Sequence, residues 1–448
     1  MPSQNASYAS SRDEIHWVKP NTPTLLGDLE KIPIPGTDLI FASLDGGWFL
    51  PGPIHLEGLK TALAAALHDY PHAAGRLRSD PETGKWYIAL TNSAISITVH
   101  RSSVDPRPEV EFMCERNPEF LPWSYAPTSH NDEPLVRFKL TYWEVTNEFS
   151  FGPSWYHRLG DGLTFWRFMD NLTNCYVGAK PCFVPTFEKY MTDPPTLERS
   201  ALTDTVRLVP HLAVDYSAEQ FFAMYQNIME STSRIDLQFS KNQLQKMRVF
   251  AEKSSGVKPI KWLMNVIDYR GVVAAEGSDY TPPPASSAGN ITLTKYSDRI
   301  PDDAKFQIGP IASVIRNTIA TSRDPDYVRR VVAISEELYT RSSNENRCQW
   351  WFPWDGGAAI NNLYRVPWTG THFGYPGKAR FHVHDAWERY FRIWPGNPTQ
   401  NEQGEWHANE GSARVFFRVK HHLKDKVLQI VQNDIRNMEF DDIMKAKK

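Results

Sequence analysis

Six residues of this 448-residue chain, His157-Arg158-Leu159-Gly160-Asp161-Gly162, place an imidazole four positions ahead of a carboxylate, with a glycine directly after it. A neutral imidazole near pH 7 is the side chain best suited to take a proton from an attacking hydroxyl or amine, so the spacing points to acyl transfer with His157 as general base. A positioned base contributes about 10² to 10⁴ in rate. Holding two substrates together and stabilising the oxyanion must supply the rest. There is no Gly-x-Ser-x-Gly elbow, and Cys114, Cys175, Cys182 and Cys348 lie outside any nucleophile motif, so direct transfer without a covalent enzyme intermediate is expected. The bland alternative for His157 is a histidine satisfied inside a core turn.

The elements that must hold these residues are legible around them. Leu135 to Trp143 alternates with period two and is rich in strand formers, and Glu148 to Phe151 reads as the next strand. Gly162 to Thr173 reads as a helix with an apolar stripe of Phe165, Phe168, Met169 and Leu172. His157 therefore follows a strand and leads into a helix. Upstream, Leu56, Leu59, Leu63, Leu67 and Tyr70 recur at helical spacing until Pro71 ends the pattern. Ile311 to Ser322 and Asp326 to Tyr339 are further helices and Ser412 to Val419 a strand, so mixed α/β layers are expected.

With 41% hydrophobic and 12% aromatic residues, the chain can bury an ample core and exceeds the size of one ordinary domain. Pro181, Pro185, Pro194, Pro195 and Pro210 mark an extended connection with little periodicity. The expected division is a first lobe over 1–180, a linker over 181–212 and a second lobe over 213–448. Thr281-Pro282-Pro283-Pro284-Ala285-Ser286-Ser287 reads as an exposed, mobile loop. A net charge of −3 from 49 basic and 52 acidic side chains offers no attraction for nucleic acid or anionic lipid, so neither is an expected partner. Met1 to Val18 lacks the apolar core of a secretory signal, no run of eighteen apolar residues occurs, and the cysteines look like free thiols; a cytoplasmic protein is expected. The sequons at Asn5, Asn171 and Asn290 are then accidental.

Three ordered stretches of the first half resemble the BAHD acyl-CoA-dependent acyltransferases. Lys19-Pro20-Asn21-Thr22-Pro23-Thr24 is similar to that family's opening, Tyr70-Pro71-His72-Ala73-Ala74-Gly75-Arg76-Leu77 to its Tyr-Pro-x-x-Ala-Gly-Arg-Leu, and His157 to Gly162 to its His-x-x-x-Asp-Gly. In the second half, Ile267-Asp268-Tyr269-Arg270 resembles Val-Asp-x-Arg, Gly289-Asn290 a Gly-Asn loop, and Thr371-His372-Phe373-Gly374-Tyr375-Pro376-Gly377-Lys378 the Asp-Phe-Gly-Trp-Gly-Lys loop. His372 stands where the family has Asp, Tyr375 where it has Trp, and Pro376 is inserted. Between Phe239-Ser240, which resembles the start of a family helix, and Asp268 the chain is short for the usual next element.

The resemblance implies two similar lobes with mixed sheets and flanking helices, of the chloramphenicol-acetyltransferase type, meeting at a central channel that donor and acceptor enter from opposite mouths. It implies an acyl-CoA co-substrate, no permanently bound cofactor, a small specialised metabolite as acceptor and a monomeric enzyme. Asp161 is expected to pair with Arg270 across the lobes, alone because His372 replaces the second carboxylate. Gly162 is expected to allow close helix–strand packing or an unusual backbone angle, and His372 and Gly374 to support the site from a structural corner. No residue is assigned to coenzyme A. The shortened second half motivates one alternative: a related enzyme that no longer uses acyl-CoA and performs a cyclisation or isomerisation in the same channel. A silent binding protein is the other.

Other constellations carry less. His68 and His72 are four apart, but Pro71 interrupts the helix that would align them as metal ligands. His382 and His384 share a face of a strand and read as exposed residues rather than ligands. Trp350, Trp351, Phe352 and Trp354 read as core or pocket wall. A P-loop and a dinucleotide fingerprint are absent.

Overall fold

The computed structural model describes residues 13–22, 26–107, 109, 119–122, 131–191, 193–245, 262–273, 276, 281–300, 308–349, 357–384 and 387–437. Strand-forming stretches assemble into two six-stranded mixed sheets. The first contains β1 (Glu14–Val18), β2 (Ser43–Leu50), β3 (Ile95–Ser102), β4 (Val136–Trp143) and β5 (Glu148–Tyr156). The second contains β6 (Thr232–Phe239), β7 (Trp262–Asp268), β8 (Thr292–Tyr296) and β9 (Gly357–Asn362). Strand β10 (Arg380–Val383) lies in the first sheet, while β11 (Tyr390–Pro395) and β12 (Ala413–Lys420) return to the second. The spatial orders are β1-β3-β4-β5-β2-β10 and β6-β12-β11-β9-β7-β8. A strand from the second half thus extends the first sheet, with Arg380 opposite Phe49 and Val383 opposite Gly46.

Among the described residues, the helices of eight or more residues are α1 (Leu56–Asp69), α2 (Gly162–Tyr176), α3 (Ala218–Ser231), α4 (Ile308–Thr321), α5 (Pro325–Asn344) and α6 (Lys424–Asn437). In α1, Leu59, Leu63 and Leu67 are buried, as their spacing demands. In α2, the stripe of Phe165, Phe168, Met169 and Leu172 is buried together with Trp166. These rings meet the inner face of the first sheet, where Phe138 stacks on Phe151 at 5.2 Å and Trp155 lies 5.3 Å from Phe168. Full burial of side chains this large contributes about 1.5–3 kcal/mol each, so α2 is rigidly seated, and the turn that precedes it with it.

The region expected to be an extended linker holds two short helices, Glu188–Met191 and Arg199–Thr205. The triple-proline stretch, expected to be an exposed, mobile loop, is exposed at Thr281, Pro284 and Ala285 but packed elsewhere: Pro282 and Pro283 are buried, Ser287 is fully buried, and Thr186 bridges to Ser287. Proline forbids helix and central strand, but it does not forbid burial of an irregular chain whose polar groups find partners. Asn171 and Asn290 are fully buried as well. The expected shortening between Ser240 and Asp268 and the Trp350 to Trp354 group lie outside the described residues, which omit 246–261 and 350–356. Ser240 does open a helical turn, exchanging hydrogen bonds with Gln243.

Candidate active site

Strand β5 ends at Tyr156 and α2 begins at Gly162, so the motif is the connection between the most deeply buried strand and helix of the first sheet. Its main chain is fixed at both ends. The His157 N–H donates to Ala42 O at 2.9 Å, and Trp155 Nε1–H donates to Gly160 O at 3.1 Å. The His157 carbonyl accepts from Gly160 N–H at 3.1 Å and from the Asn290 side-chain amide at 2.7 Å. Gly160, at φ +147°, is the residue whose backbone requires glycine, because a Cβ there would lie 2.7 Å from Thr164 Cβ. Gly162 does not have the unusual angle expected of it: it is the first residue of α2, and an added Cβ would meet Leu363 at an ordinary 3.7 Å.

The His157 ring is half-buried, with Nδ1 covered and without a hydrogen-bond partner among the described residues. Burial holds its pKa below the usual 6.5, while the Asp161 charge and polar contacts with its own carbonyl and the Asn290 amide pull less strongly the other way. Ala42 and Ser43, directly beside it, are exposed. The ring is therefore neutral at pH 7, with its inner nitrogen turned toward protein.

Asp161 does not face that ring through any hydrogen bond. Its Oδ1 caps α2 by accepting from Thr164 N–H at 3.0 Å. Arg270 donates Nη1–H to Asp161 Oδ2 at 2.8 Å and Nη2–H to Oδ1 at 2.9 Å, a bidentate pair in which both side chains are buried. Ile291 N–H adds a further bond to Oδ2 at 3.0 Å. Burial alone would raise this carboxyl, but the Arg270 charge and the donated hydrogen bonds outweigh it and hold the pKa at about 2. The expectation that Asp161 carries the pairing alone is not met. Asp268, two residues before Arg270 and itself half-exposed, accepts from Arg270 Nη1 at 3.1 Å. The second anion, Asp268, comes from the arginine's own strand end.

His372 lies elsewhere, on the α2 side of the first sheet. It accepts from Gly374 N–H at 3.1 Å through Nδ1, its pKa is lowered by burial and raised less by Asp170, and it makes no hydrogen bond with Arg270 or His157. Phe373 packs on Phe151 at 5.1 Å and Tyr176 at 5.7 Å, and Tyr375 Oη–H donates to Pro53 O at 3.0 Å. The loop is a corner that seats the second half on the first sheet. His382 is buried, not exposed: its Nε2 lies 2.6 Å from Glu109, and Arg380 bridges Glu109 and Glu148. An edge strand is exposed only on its free side, and here Glu109 and Arg414 cover it.

Sequence reasoning missed the support behind His157. Asp38 is wholly buried and its Oδ1 accepts from Lys189 Nζ at 2.6 Å and from Asn290 N–H at 2.8 Å. Lys189 also donates to the Asn290 carbonyl. The first half, the connecting segment and the Gly289-Asn290 loop therefore meet one residue behind the imidazole. Gly289, at φ +98°, has Tyr190 Oη and Asp38 Oδ2 at 2.5 and 3.1 Å from where a Cβ would sit, so no side chain fits. No local pattern marks Asp38 or Lys189; the Gly-Asn pair was the available signal.

Residues 51–267 match the Transferase family model. Acyltransferase GLAUCE of Arabidopsis thaliana is 24% identical over 206 residues, 44% of this chain and 43% of its own length, so the match spans less than half of that curated relative. Among solved structures, vinorine synthase superimposes with a TM-score of 0.57 at 14% identity, covering 91% of this chain and 94% of its own. F. graminearum TRI101, solved with coenzyme A and T-2 mycotoxin, gives 0.57 at 14% identity over 89% of this chain and 97% of its own. At such identities the structural likeness is one of fold. The chain thus shares the two-domain, chloramphenicol-acetyltransferase-like α/β fold of vinorine synthase and TRI101, and its residues 51–267 are similar to the Transferase family.

Proposed function

We propose that this chain is an acyl-CoA-dependent acyltransferase that moves an acyl group to a hydroxyl or amine of a small specialised metabolite, with His157 as general base. One observation carries the reading: a half-buried, neutral imidazole stands on a main chain locked from both halves of the molecule, while the nearby carboxylate is committed to Arg270. Such a ring can accept a proton without competing for its own carboxylate, and rigid placement of a base lowers the entropic barrier to a bimolecular step. As the acceptor attacks the thioester carbonyl, its proton passes to Nε2 of His157. Collapse of the tetrahedral adduct expels the coenzyme A thiolate, which takes that proton back.

Asp161, Gly162, Arg270, His372 and Gly374 support the site and touch neither substrate. Coenzyme A is a co-substrate; F. graminearum TRI101, which has a similar fold, was solved with it bound. The lobes are 1–180 and 213–448 joined by 181–212, the enzyme acts as a cytoplasmic monomer, and nucleic acid and membranes are not partners. Among the described residues, no helix is long and apolar enough to cross a membrane. Incubation with acetyl-CoA and longer acyl-CoA donors against metabolite fractions, following free thiol and acceptor mass together, tests the reading. Coupled thiol release and mass gain is the expected result. Thiol release alone is hydrolysis, and the absence of both with folded protein contradicts acyl transfer.

A further inference from the structure

Arg158 follows His157 directly, in the turn His157–Leu159, and only 5% of it is exposed. Its side chain makes no hydrogen bond and no ion pair among the described residues, and its Nε is covered. A guanidinium carries five N–H donors and a charge that burial penalises heavily unless an anion meets it. What Arg158 has instead are two ring faces, Trp86 at 4.7 Å and Tyr156 at 5.5 Å from its Cζ. Ring faces attract the charge but offer the N–H groups no lone pair. The Tyr156 hydroxyl is in the same condition, buried and without a hydrogen-bond partner. Buried donors left open in this way call for an explanation, and a ligand supplies one.

The groups around Arg158 do not supply the anion. Cys348, buried on the strand Arg347–Gln349, interacts electrostatically with both Arg158 and Tyr156. Burial pushes its thiol above the ordinary 9, outweighing Arg158 and Arg347, so it stays neutral at pH 7. Asp215 on the paired strand is taken: it accepts from Arg347 Nε at 2.6 Å and from Ser342 Oγ–H at 2.7 Å. Trp86 Nε1–H donates to Asn344 Oδ1 at 2.9 Å, which ties the covering ring to the end of α5. Trp86 is half-buried and Asn344 exposed, so the ring over Arg158 itself reaches the surface. One positive charge presented as a planar fork matches a carboxylate in charge and shape. A phosphate dianion calls for a second cation, and Arg347 is committed to Asp215.

We propose that Arg158 and Tyr156 bind the carboxylate of a small organic acid, the guanidinium donating to both oxygens and the phenol to one of them. The two residues flank His157 in sequence, with neighbouring Cα atoms about 3.8 Å apart, so an acid held there bears on the main chain that carries the base. That acid has two sources: an acyl acceptor that carries a carboxylate, or a separate acid that binds beside the site. Binding itself does not require the acyl-transfer reading to hold.

The test titrates the full chain with benzoate and with benzamide, its uncharged counterpart, with Kd read by NMR. Benzoate is expected to bind on the order of tenfold tighter. Arg158→Met is expected to abolish that preference and to leave the urea midpoint unchanged or higher, because it removes a buried charge that no anion compensates. Tyr156→Phe keeps the ring beside the guanidinium and is expected to weaken benzoate about 3- to 10-fold. Equal affinity for benzoate and benzamide overturns the proposal, and so does equal benzoate binding by wild type and Arg158→Met. If Arg158→Met does not fold, unchanged benzoate binding by Tyr156→Phe overturns it. The source of the carboxylate is read with acetyl-CoA and two alcohols, 4-(hydroxymethyl)benzoate and 4-(hydroxymethyl)benzamide. Preferential, Arg158-dependent acetylation of the acid upholds the site and makes the acceptor the acid. Arg158-dependent benzoate binding with neither alcohol acetylated upholds it and assigns a separate acid. Acyl transfer to metabolite fractions without benzoate binding sinks this inference alone, while benzoate binding through Arg158 without any acyl transfer upholds the site and contradicts the acyl-transfer reading.

Discussion

The His157 imidazole is held neutral at pH 7 mainly by burial, and that fixes its pH behaviour. Because its pKa lies below the ordinary 6.5, the base form persists as pH falls through 6.5 and is lost only further into acid. The acid limb of kcat/KM is therefore expected to have its midpoint below pH 6.5, and a midpoint at or above 6.5 contradicts this environment for the ring. Within the same site, the residues legible from sequence were those in short local patterns: His157 and Asp161 in one motif, Arg270 in another. The bidentate pair between them joins positions 109 apart, and only the resemblance to a family could suggest it. Asp38 and Lys189 were not legible, because Asp38 meets Asn290 across 252 positions and Lys189 meets it across 101. Gly162 misled because its neighbour Gly160 has the positive φ, and a sequence gives no means of telling which glycine makes the turn.

At the scale of elements, the segment Ser287 to Ile291 staples the second half to α2 through Arg270, Gly289, Asn290 and Ile291. Arg270→Ala leaves Asp161 buried beside no cation and is expected to cost about 3–5 kcal/mol in urea denaturation. Arg270→Lys recovers only part of it, since an ammonium cannot make both parallel bonds. Gly289→Ala forces a Cβ against Tyr190 Oη and into an unfavourable φ, so about 1–3 kcal/mol of destabilisation is expected. A cost near zero in the same assay shows that the loop can retreat. Elements with strong periodicity were legible to within a few residues: α1, α2, α5, β4 and β12. Helix α3 went unread although Ser217-x-x-Gln220 and the stripe after it carry a helix signal, because the neighbouring prolines dominated the reading of that region. The burial of Pro282, Pro283 and Ser287 was not legible because backbone preference says nothing about burial, and the partners that hold Ser287, Thr186 and Arg270, are distant in sequence.

On the scale of the whole molecule, the platform behind His157 and strand β10 are two of the joints between the halves. Arg380 on β10 lies 2.8 Å from Glu109 and 2.7 Å from Glu148, all largely buried, so Arg380→Ala strands two carboxylates. A loss of about 3–5 kcal/mol in urea denaturation is expected, and an unchanged midpoint contradicts a role in holding the halves. The two-lobed α/β class could be read from length, alternating patterns and the family resemblance. That β10 crosses into the first sheet could not, because a four-residue strand carries no mark of its partner. These joints matter functionally because a base is effective only where the frame keeps it in place. The most direct measurement is single-turnover acyl transfer by His157→Ala beside wild type, with donor binding measured on both. The account predicts a rate lower by about 10² to 10⁴ with donor binding retained; a variant that transfers the acyl group at the wild-type rate contradicts it.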